Sequence, residues 1–387
     1  MHPHLSQGAS TPPPAAPGSG PAGSGRGPAG DGLNGNGPNG DDRGGDGPGR
    51  ASSANNGAPR NAEAAPIPEG PIPEGPILEA SGVTLVYRDG TRAVDNVSLR
   101  LRRGEILGLV GESGSGKSSL ARLLLGLARP GAGTVRFEGR DLASADRRAR
   151  QALRRRAAMI FQDPVASLSP RLRLGSLLRE PLRIHGLPLR EGWPAALAVL
   201  RAVNLPEAIL EKYPHQISGG QARRFAIARA LVLEPSLVIA DEPTAGLDLS
   251  VQGEVVNLLT GLRDRLGLAL LMVSHNLPVV GAVADRVAVM YLGRLVEAGA
   301  AEVVFRTPAH PYTRALLAAV PRLRPGGAEA GPVRDVLPGE VPSPRNPPEG
   351  CHFRTRCPIA EEVCRTVPPR HRTGEGVEVL CHKPLVR

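Results

Sequence analysis

The chain has 387 residues, 41% of them hydrophobic and 3% aromatic, and a formal net charge of +10. That length allows two or three structural units with a real core, and so few aromatics argue against a protein that stacks single-stranded nucleic acid. No uninterrupted apolar run reaches the roughly eighteen residues of a membrane span, so any membrane role is expected to pass through a partner.

Residues 1 to 76 are mostly Gly, Pro, Ala, Asn and Ser and end in a repeated Pro-Ile-Pro-Glu-Gly at 66 to 75. With so little apolar pattern to offset its ordering entropy, the segment reads as a disordered tail. It also lacks the charged start, apolar centre and small-residue cleavage site of an export signal. Its four Arg and seven acidic residues sum to −3, leaving +13 on the remainder. A basic surface suits nucleic acid, an anionic membrane face or plain arginine-rich usage, and the last is the default.

From Ile77 the pattern changes to alternating strands, Ile77 to Tyr87 and Ala93 to Leu101, which with Thr134 to Phe137 read as a small β subdomain. Tyr87 suits stacking on adenine if exposed and packing if buried. Ile106 to Val110 is apolar throughout, as in a buried parallel strand, and leads into Gly111-Glu112-Ser113-Gly114-Ser115-Gly116-Lys117-Ser118 and then Ser119. Beyond it Leu120, Leu123, Leu124 and Leu127 share one helical face. This is a Gly-x-x-x-x-Gly-Lys-Ser phosphate loop in its strand-loop-helix context. Glycines let the backbone wrap a phosphate chain, N–H groups and the helix start face the anion, Lys117 reaches the β and γ phosphates, and Ser118 holds Mg²⁺. Lysine occurs only at 117, 212 and 383, so its presence at the motif position carries weight.

Ala145 to Arg156 reads as an arginine-rich solvated helix, and Ala158 to Phe161 as a short strand ending at Gln162-Asp163-Pro164. Ligands sit at the C-terminal edge of open α/β sheets, which places Gln162 near a metal or an attacking water. Residues 165 to 216 carry helical patterns, among them Leu174 to Ile184 and Trp193 to Val203, and read as an inserted helical subdomain. Ile217-Ser218-Gly219-Gly220-Gln221 then opens into a helix, Ala222 to Leu233, and forms a second anion-binding helix start. The apolar strand from Leu237 ends in Asp241 and Glu242; the first suits Mg²⁺ and the second a base that orients or deprotonates water. Leu247 and Asp248 follow in a loop. Leu268 to Val273 is another buried strand, ending in Ser274 and His275, a histidine placed either to contact a γ-phosphate or simply to pack.

As an ordered set these motifs resemble the ATP-binding subunit of an ATP-binding-cassette (ABC) transporter, over roughly Ile77 to Gly299. Ile217 to Gln221 resembles the family signature Leu-Ser-Gly-Gly-Gln. The resemblance implies an α/β P-loop NTPase cassette with a RecA-like core, an antiparallel β subdomain and the inserted helical subdomain at about 165 to 216. It also implies roles. Tyr87 stacks adenine, Gly111 to Ser119 cradle the phosphates, and Ser118, Gln162 and Asp241 serve Mg²⁺. Glu242 is the catalytic base, with Gln162, His275 and Lys117 at the reacting phosphate. Ser218, Gly219, Gly220, Gln221 and Asp248 act at a dimer interface on the partner subunit's ATP. The isoleucine at 217 and Ala245-Gly246 in place of Ser-Ala are mild departures that remove no catalytic group.

Two later stretches narrow the class. His310-Pro311-Tyr312-Thr313-Arg314 with Leu316, Leu317 and Pro321, and Gly350-Cys351-His352-Phe353 to Arg356-Cys357-Pro358 with Cys364, Cys381 and His382, resemble the C-terminal extension of dipeptide and oligopeptide importer ATPases, a group with related nickel importers. The organisation expected is a tail at 1–76, a cassette at 77–300 and an extension at 301–387. The partners implied are a second cassette, identical or paralogous, two membrane permeases and an extracytoplasmic peptide-binding protein, at the cytoplasmic membrane face and without direct nucleic-acid contact. Gaps of five, six and sixteen residues between the four cysteines do not match paired Cys-x-x-Cys zinc ligands. Four thiolates suit a 4Fe-4S cluster, which some members of the group carry, and zinc and free thiols stay open. A soluble ABC ATPase of DNA repair or translation, a nickel or other small-solute importer, and a non-hydrolysing scaffold are the alternatives; the single cassette and the retained Glu242 speak against the first and last.

Overall fold

The computed structural model of the protein describes residues 75–163, 166–247, 249–320 and 339–385. The expected disorder of the tail before residue 75 and the expected role of Asp248 fall outside these residues. In chain order the strands are β1 (Leu78–Val86), β2 (Arg92–Leu101), β3 (Ile106–Val110), β4 (Ala132–Phe137), β5 (Arg140–Asp141), β6 (Ala157–Ile160), β7 (Leu237–Asp241), β8 (Ala269–Ser274), β9 (Arg286–Tyr291), β10 (Arg294–Ala300), β11 (Arg370–Arg372) and β12 (Glu378–Leu380). The helices are α1 (Lys117–Leu124), α2 (Arg147–Arg156), α3 (Leu174–Ile184), α4 (Leu189–Ala202), α5 (Gly219–Leu231), α6 (Leu249–Leu266), α7 (Leu277–Val283), α8 (Ala301–Arg306) and α9 (Pro311–Ala318).

Strands β2, β1, β4 and β5 form an antiparallel sheet, the expected β subdomain. The other eight form one sheet in the order β11-β12-β10-β9-β3-β8-β7-β6, parallel from β9 to β6. β3, β7 and β8 are buried at every position because both faces are covered, which explains their unbroken apolar sequence. Alternation divides them between two cores. Ile106 and Val110 pack with Val238, Leu270 and Met272 on one side, and Leu107 and Leu109 with Ile239, Leu271 and Val273 on the other. Gly108 lets α7 approach, since a Cβ there would lie 2.2 Å from Val280 Cγ1.

The inserted helices pack Leu174, Leu177, Leu178 and Leu182 of α3 against Ala196, Val199 and Leu200 of α4 and Phe225 of α5. The Arg179 guanidinium stacks 4.1 Å from the Trp193 ring centroid across the α3/α4 seam. α4 begins four residues before the predicted Trp193, because the N–H groups of Glu191 and Gly192 both reach the Pro188 carbonyl and nucleate a turn ahead of Pro194. Leu127 departs from the expected helical face and is 53% exposed. Gly126, with φ +66°, terminates α1 and turns the chain away after Leu124.

The segment beyond residue 300 does not stand apart from the cassette. β12 pairs with β10 through Glu297 opposite Val379 and Ala298 opposite Glu378, and Val379 is fully buried. Glu297, itself buried, accepts the N–H groups of Ala309 (2.7 Å) and His310 (2.9 Å) and so fixes the entry into α9. Arg294 bonds Asp95 of β2 at 2.6 Å and the Gly350 carbonyl at 3.0 Å, joining three regions of sequence.

Burial alone would raise the Asp95 carboxyl, but Arg294 and Arg92 outweigh it and hold the group below its ordinary value. Arg294→Met is therefore expected to lower the unfolding free energy at pH 7 by about 2–3 kcal/mol, as for loss of one partner of a largely buried pair. With the folded value depressed, that stabilisation is complete above the unfolded carboxylate value of about 3.9 and disappears as the pH falls below it. Urea denaturation should thus separate the variant from wild type more widely at pH 7 than at pH 3.

Candidate active site

The parallel register brings the candidate residues to one edge of the sheet. Val110 pairs with Ser274, Asp241 with Val273, and Ile160 with Ala240, so the loops that follow β3, β8, β7 and β6 leave at nearly the same level. Those loops carry Gly111 to Gly116, His275, Glu242 and Gln162.

The phosphate loop is held by close packing as well as by its own conformation. Gly111 (φ +155°) and Gly116 (φ +102°) leave no room for a side chain: a Cβ at either would fall 2.2 Å from the Met290 carbonyl oxygen or 2.0 Å from that of Ala93. Gly114 (φ +77°) has open space beside it. Lys117 is buried at the start of α1 and donates to the carbonyls of Gly111 and Glu112, both at 2.8 Å. Burial pushes its ammonium pKa down against the opposing pull of Glu242, Asp241 and Glu112. An amine so enclosed is a ready partner for an anion.

Ser118 Oγ donates to Asp241 Oδ1 at 3.1 Å, joining the loop to the end of β7. Burial, opposed by the Ser118 hydrogen bond and reinforced by the Glu242 charge, raises the Asp241 carboxyl above its usual range. Next to it, the Glu242 carboxylate lies 2.8–2.9 Å from His275 Nδ1. Glu242 adopts φ +52°, a conformation rare for a residue with a Cβ, and its N–H is fixed to the Val273 carbonyl at 2.9 Å. Tyr87 is 39% exposed and its hydroxyl lies 3.1 Å from Ser119 Oγ, which leaves ring surface open beside α1.

Gln162 shares this sheet edge without a hydrogen bond to the Ser118–Asp241 or Glu242–His275 pairs, and the Ser218 helix start lies apart. Gln162 is exposed beyond the end of β6, two strands from β8. Ser218 caps α5 by accepting from Gln221 N at 3.2 Å, and Gln221 Oε1 accepts from Ser218 N at 3.2 Å. Ser218, Gly219 and Gly220 are exposed, and a Cβ on either glycine would touch nothing within 4 Å. That helix start faces outward; one tie to the centre is Arg223, which donates to the carbonyls of Pro243 and Ala245, both at 3.2 Å.

Sequence reasoning missed two side chains on the phosphate loop. Glu112 N donates to the Tyr312 hydroxyl at 2.9 Å, and the Arg356 guanidinium grips both Glu112 carboxylate oxygens at 2.8 and 3.1 Å. Both residues lie in stretches singled out for resemblance alone, and no local pattern reports a contact 200 or 244 positions away.

A phosphate loop closed by a serine–aspartate bond, with a carboxylate and a histidine beside it on the edge of a parallel sheet, defines a P-loop nucleotide-hydrolysing cassette. The comparisons agree. Residues 94–245 match the ABC transporter family, and residues 296–364 match the oligopeptide/dipeptide transporter C-terminal region. A peptide import ATP-binding protein of Brucella ovis is 49% identical over 282 residues, spanning 73% of this chain and 88% of its own. Another, from Brucella abortus, is 47% identical over 293 residues, 75% of this chain and 86% of its own. Among solved structures, cbiO1 from Clostridium perfringens, part of the ABC transporter complex cbiONQ, is similar with a TM-score of 0.56 and 31% identity, covering 60% of this chain and 92% of that one. The cassette MJ0796, in a dimeric post-hydrolysis state bound to ADP and Pi, is similar with a TM-score of 0.53 and 28% identity, covering 58% and 98%. The chain belongs to the ATP-binding subunits of ABC transporters.

Gly116→Ala tests the loop directly. A side chain at φ +102° and 2.0 Å from a backbone oxygen should displace the loop, weakening MgADP binding by at least about tenfold in calorimetric titration.

Proposed function

We propose that this chain is the ATP-hydrolysing subunit that powers peptide import through membrane permeases. The observation that carries the reading is the joined constellation at the sheet edge: Ser118 on Asp241, and His275 on Glu242, directly behind the phosphate loop. The family match over 296–364 and the relatives' peptide-import names favour peptide over nickel as the cargo, and they disfavour the DNA-repair or translation alternative.

In this reading Tyr87 stacks on adenine and the loop from Gly111 to Ser119 wraps the phosphates. Lys117 exchanges its two carbonyl partners for β and γ phosphate oxygens. Ser118, Asp241 and Gln162 would hold Mg²⁺, which neutralises phosphate charge when bound. The Ser118–Asp241 pair fits that ion: two oxygen donors 3.1 Å apart, one of them a carboxylate whose burial disfavours bare negative charge. Glu242 takes a proton from the attacking water as its oxygen bonds to the γ phosphorus and the bond to the ADP oxygen breaks, releasing ADP and inorganic phosphate. His275 holds the Glu242 carboxylate in place and faces the γ-phosphate.

The outward helix start at Ser218, Gly219, Gly220 and Gln221, with Asp248, serves the ATP of a second cassette, so that closure of two chains completes two sites. Two permeases and an extracytoplasmic peptide-binding protein complete the assembly, with the inserted helices receiving the permeases. Among the described residues no helix is long and apolar enough to cross a membrane, which suits attachment at the cytoplasmic face through such partners. Glu242→Gln should keep MgATP affinity within about threefold while lowering turnover by at least about a hundredfold, because the anion and metal contacts stay and the base is lost. Near-normal hydrolysis by that variant would overturn the assignment.

A 4Fe-4S cluster is the occupant proposed for the four thiols. In its favour, Cys351, Cys357, Cys364 and Cys381 all line one small cavity of about 10 Å³, and four soft donors suit iron–sulfur chemistry. Burial raises the thiols of Cys351, Cys357 and Cys381, the last to about 11, a cost that a bound cation would relieve. The placement fits less well. Among the described residues no three His, Cys, Asp or Glu groups converge as a cation site, so loading requires the cavity to widen and the thiols to turn inward. Strictly anaerobic purification from an iron-replete host should yield brown protein with about four iron atoms per chain. Zinc instead, or colourless metal-free protein, would refute the cluster and leave the ATPase reading standing.

A further inference from the structure

Glu112 is the one variable residue of the phosphate loop with a charge, and a free carboxylate there would repel the triphosphate the loop must hold. The structure leaves none of its polar groups loose. Its N–H donates to the Tyr312 hydroxyl at 2.9 Å, its carbonyl accepts from Lys117 Nζ at 2.8 Å and from Ser115 N at 3.2 Å, and its carboxylate is held by both arms of the Arg356 fork. The two outer anchors are rigid. Tyr312 is fully buried between Tyr291 and Phe353, with ring centroids 4.6 and 5.4 Å away. Arg356 is 6% exposed and lies over the Tyr291 ring, 5.9 Å from its centroid. A bidentate guanidinium fixes the direction of a carboxylate as well as its charge.

From this geometry we infer that Arg356 and Tyr312, from the C-terminal segment, are positioning residues for ATP: they hold Glu112 back, neutralise it and keep the loop open to phosphate. The segment therefore acts on the hydrolytic site from within the same chain. This rests on the nucleotide reading above. It adds that a cassette cut free of its C-terminal segment has a misplaced phosphate loop even where its strands still fold.

The test uses the full chain, with MgADP titration by calorimetry, steady-state ATP hydrolysis and thermal melting of Tyr312→Phe, Arg356→Ala, Arg356→Lys, Glu112→Gln and the pair Glu112→Gln with Arg356→Ala. Arg356→Ala should weaken MgADP binding and raise KM for ATP about tenfold, with kcat changed by less than about threefold. Arg356→Lys, which keeps the charge without the fork, should recover part of the loss. Tyr312→Phe keeps the packed ring and removes only the hydroxyl, and should cost about threefold in affinity. With Glu112→Gln already present, Arg356→Ala should cost far less than it does alone, since there is no carboxylate to restrain. Lower melting temperatures with unchanged affinity, or the same Arg356→Ala loss in both backgrounds, would show a merely structural role and overturn the inference. Should Arg356→Ala fail to fold, Tyr312→Phe and Arg356→Lys decide by the same readouts. Absence of MgADP binding by the wild type would overturn the nucleotide reading itself, whereas normal wild-type binding with unaltered variants removes this inference alone.

Discussion

The level ending of four parallel strands is the constraint on which the rest of the structure depends. β3, β8, β7 and β6 are paired residue for residue, and three of them are buried on both faces, so none can slide without exposing apolar side chains or breaking a ladder. Polar groups at the strand ends are therefore placed by the core beneath them. Ser118 meets Asp241 and Glu242 meets His275 because Val110, Asp241 and Ser274 are held in adjacent register. The positive φ of Glu242 is a local cost that such a rigid frame can carry, and it turns the carboxylate out of the strand direction toward the histidine.

The C-terminal segment makes this frame part of a larger one. β12 extends the central sheet beyond β10, Glu297 caps the entry to α9, and Tyr291, Tyr312 and Phe353 form an aromatic cluster contributed by β9, α9 and the cysteine-bearing stretch. The cluster packs directly against the phosphate loop through Tyr312 and Arg356. The four cysteines share their cavity with Phe353, so the thiol-lined space and the nucleotide loop are separated by little more than this aromatic layer.

The outward-facing features have a different character. Ser218 and Gln221 cap their own helix start reciprocally while Gly219 and Gly220 leave its surface bare, and Arg223 links that helix to the turn after Glu242. Arg223 thus ties the position of that helix to the backbone just after Glu242. The Lys117 side is enclosed by the loop backbone, whereas the Ser218 helix start is open to solvent.

Residue order alone specified the cassette: the all-apolar strands, the phosphate loop, the paired carboxylates and the Ser-Gly-Gly-Gln helix start all depend on neighbours within a few positions, and these elements stand close to where their patterns put them, α5 starting at Gly219 instead of Ala222 and β8 at Ala269 instead of Leu268. α3 follows its predicted limits because its leucines repeat at helical spacing. Local pattern failed where distant contacts decide. Leu127 continues the apolar face in sequence, yet Gly126 ends the helix first, and α4 starts early on a turn at Pro188. Only the tertiary structure decided that residues beyond 300 share the central sheet, that four cysteines spaced over thirty residues line one cavity, and that Tyr312 and Arg356 clasp Glu112. Those facts are set by chain segments up to 244 residues apart meeting across a common core, and periodicity within any one segment carries no information about such a meeting.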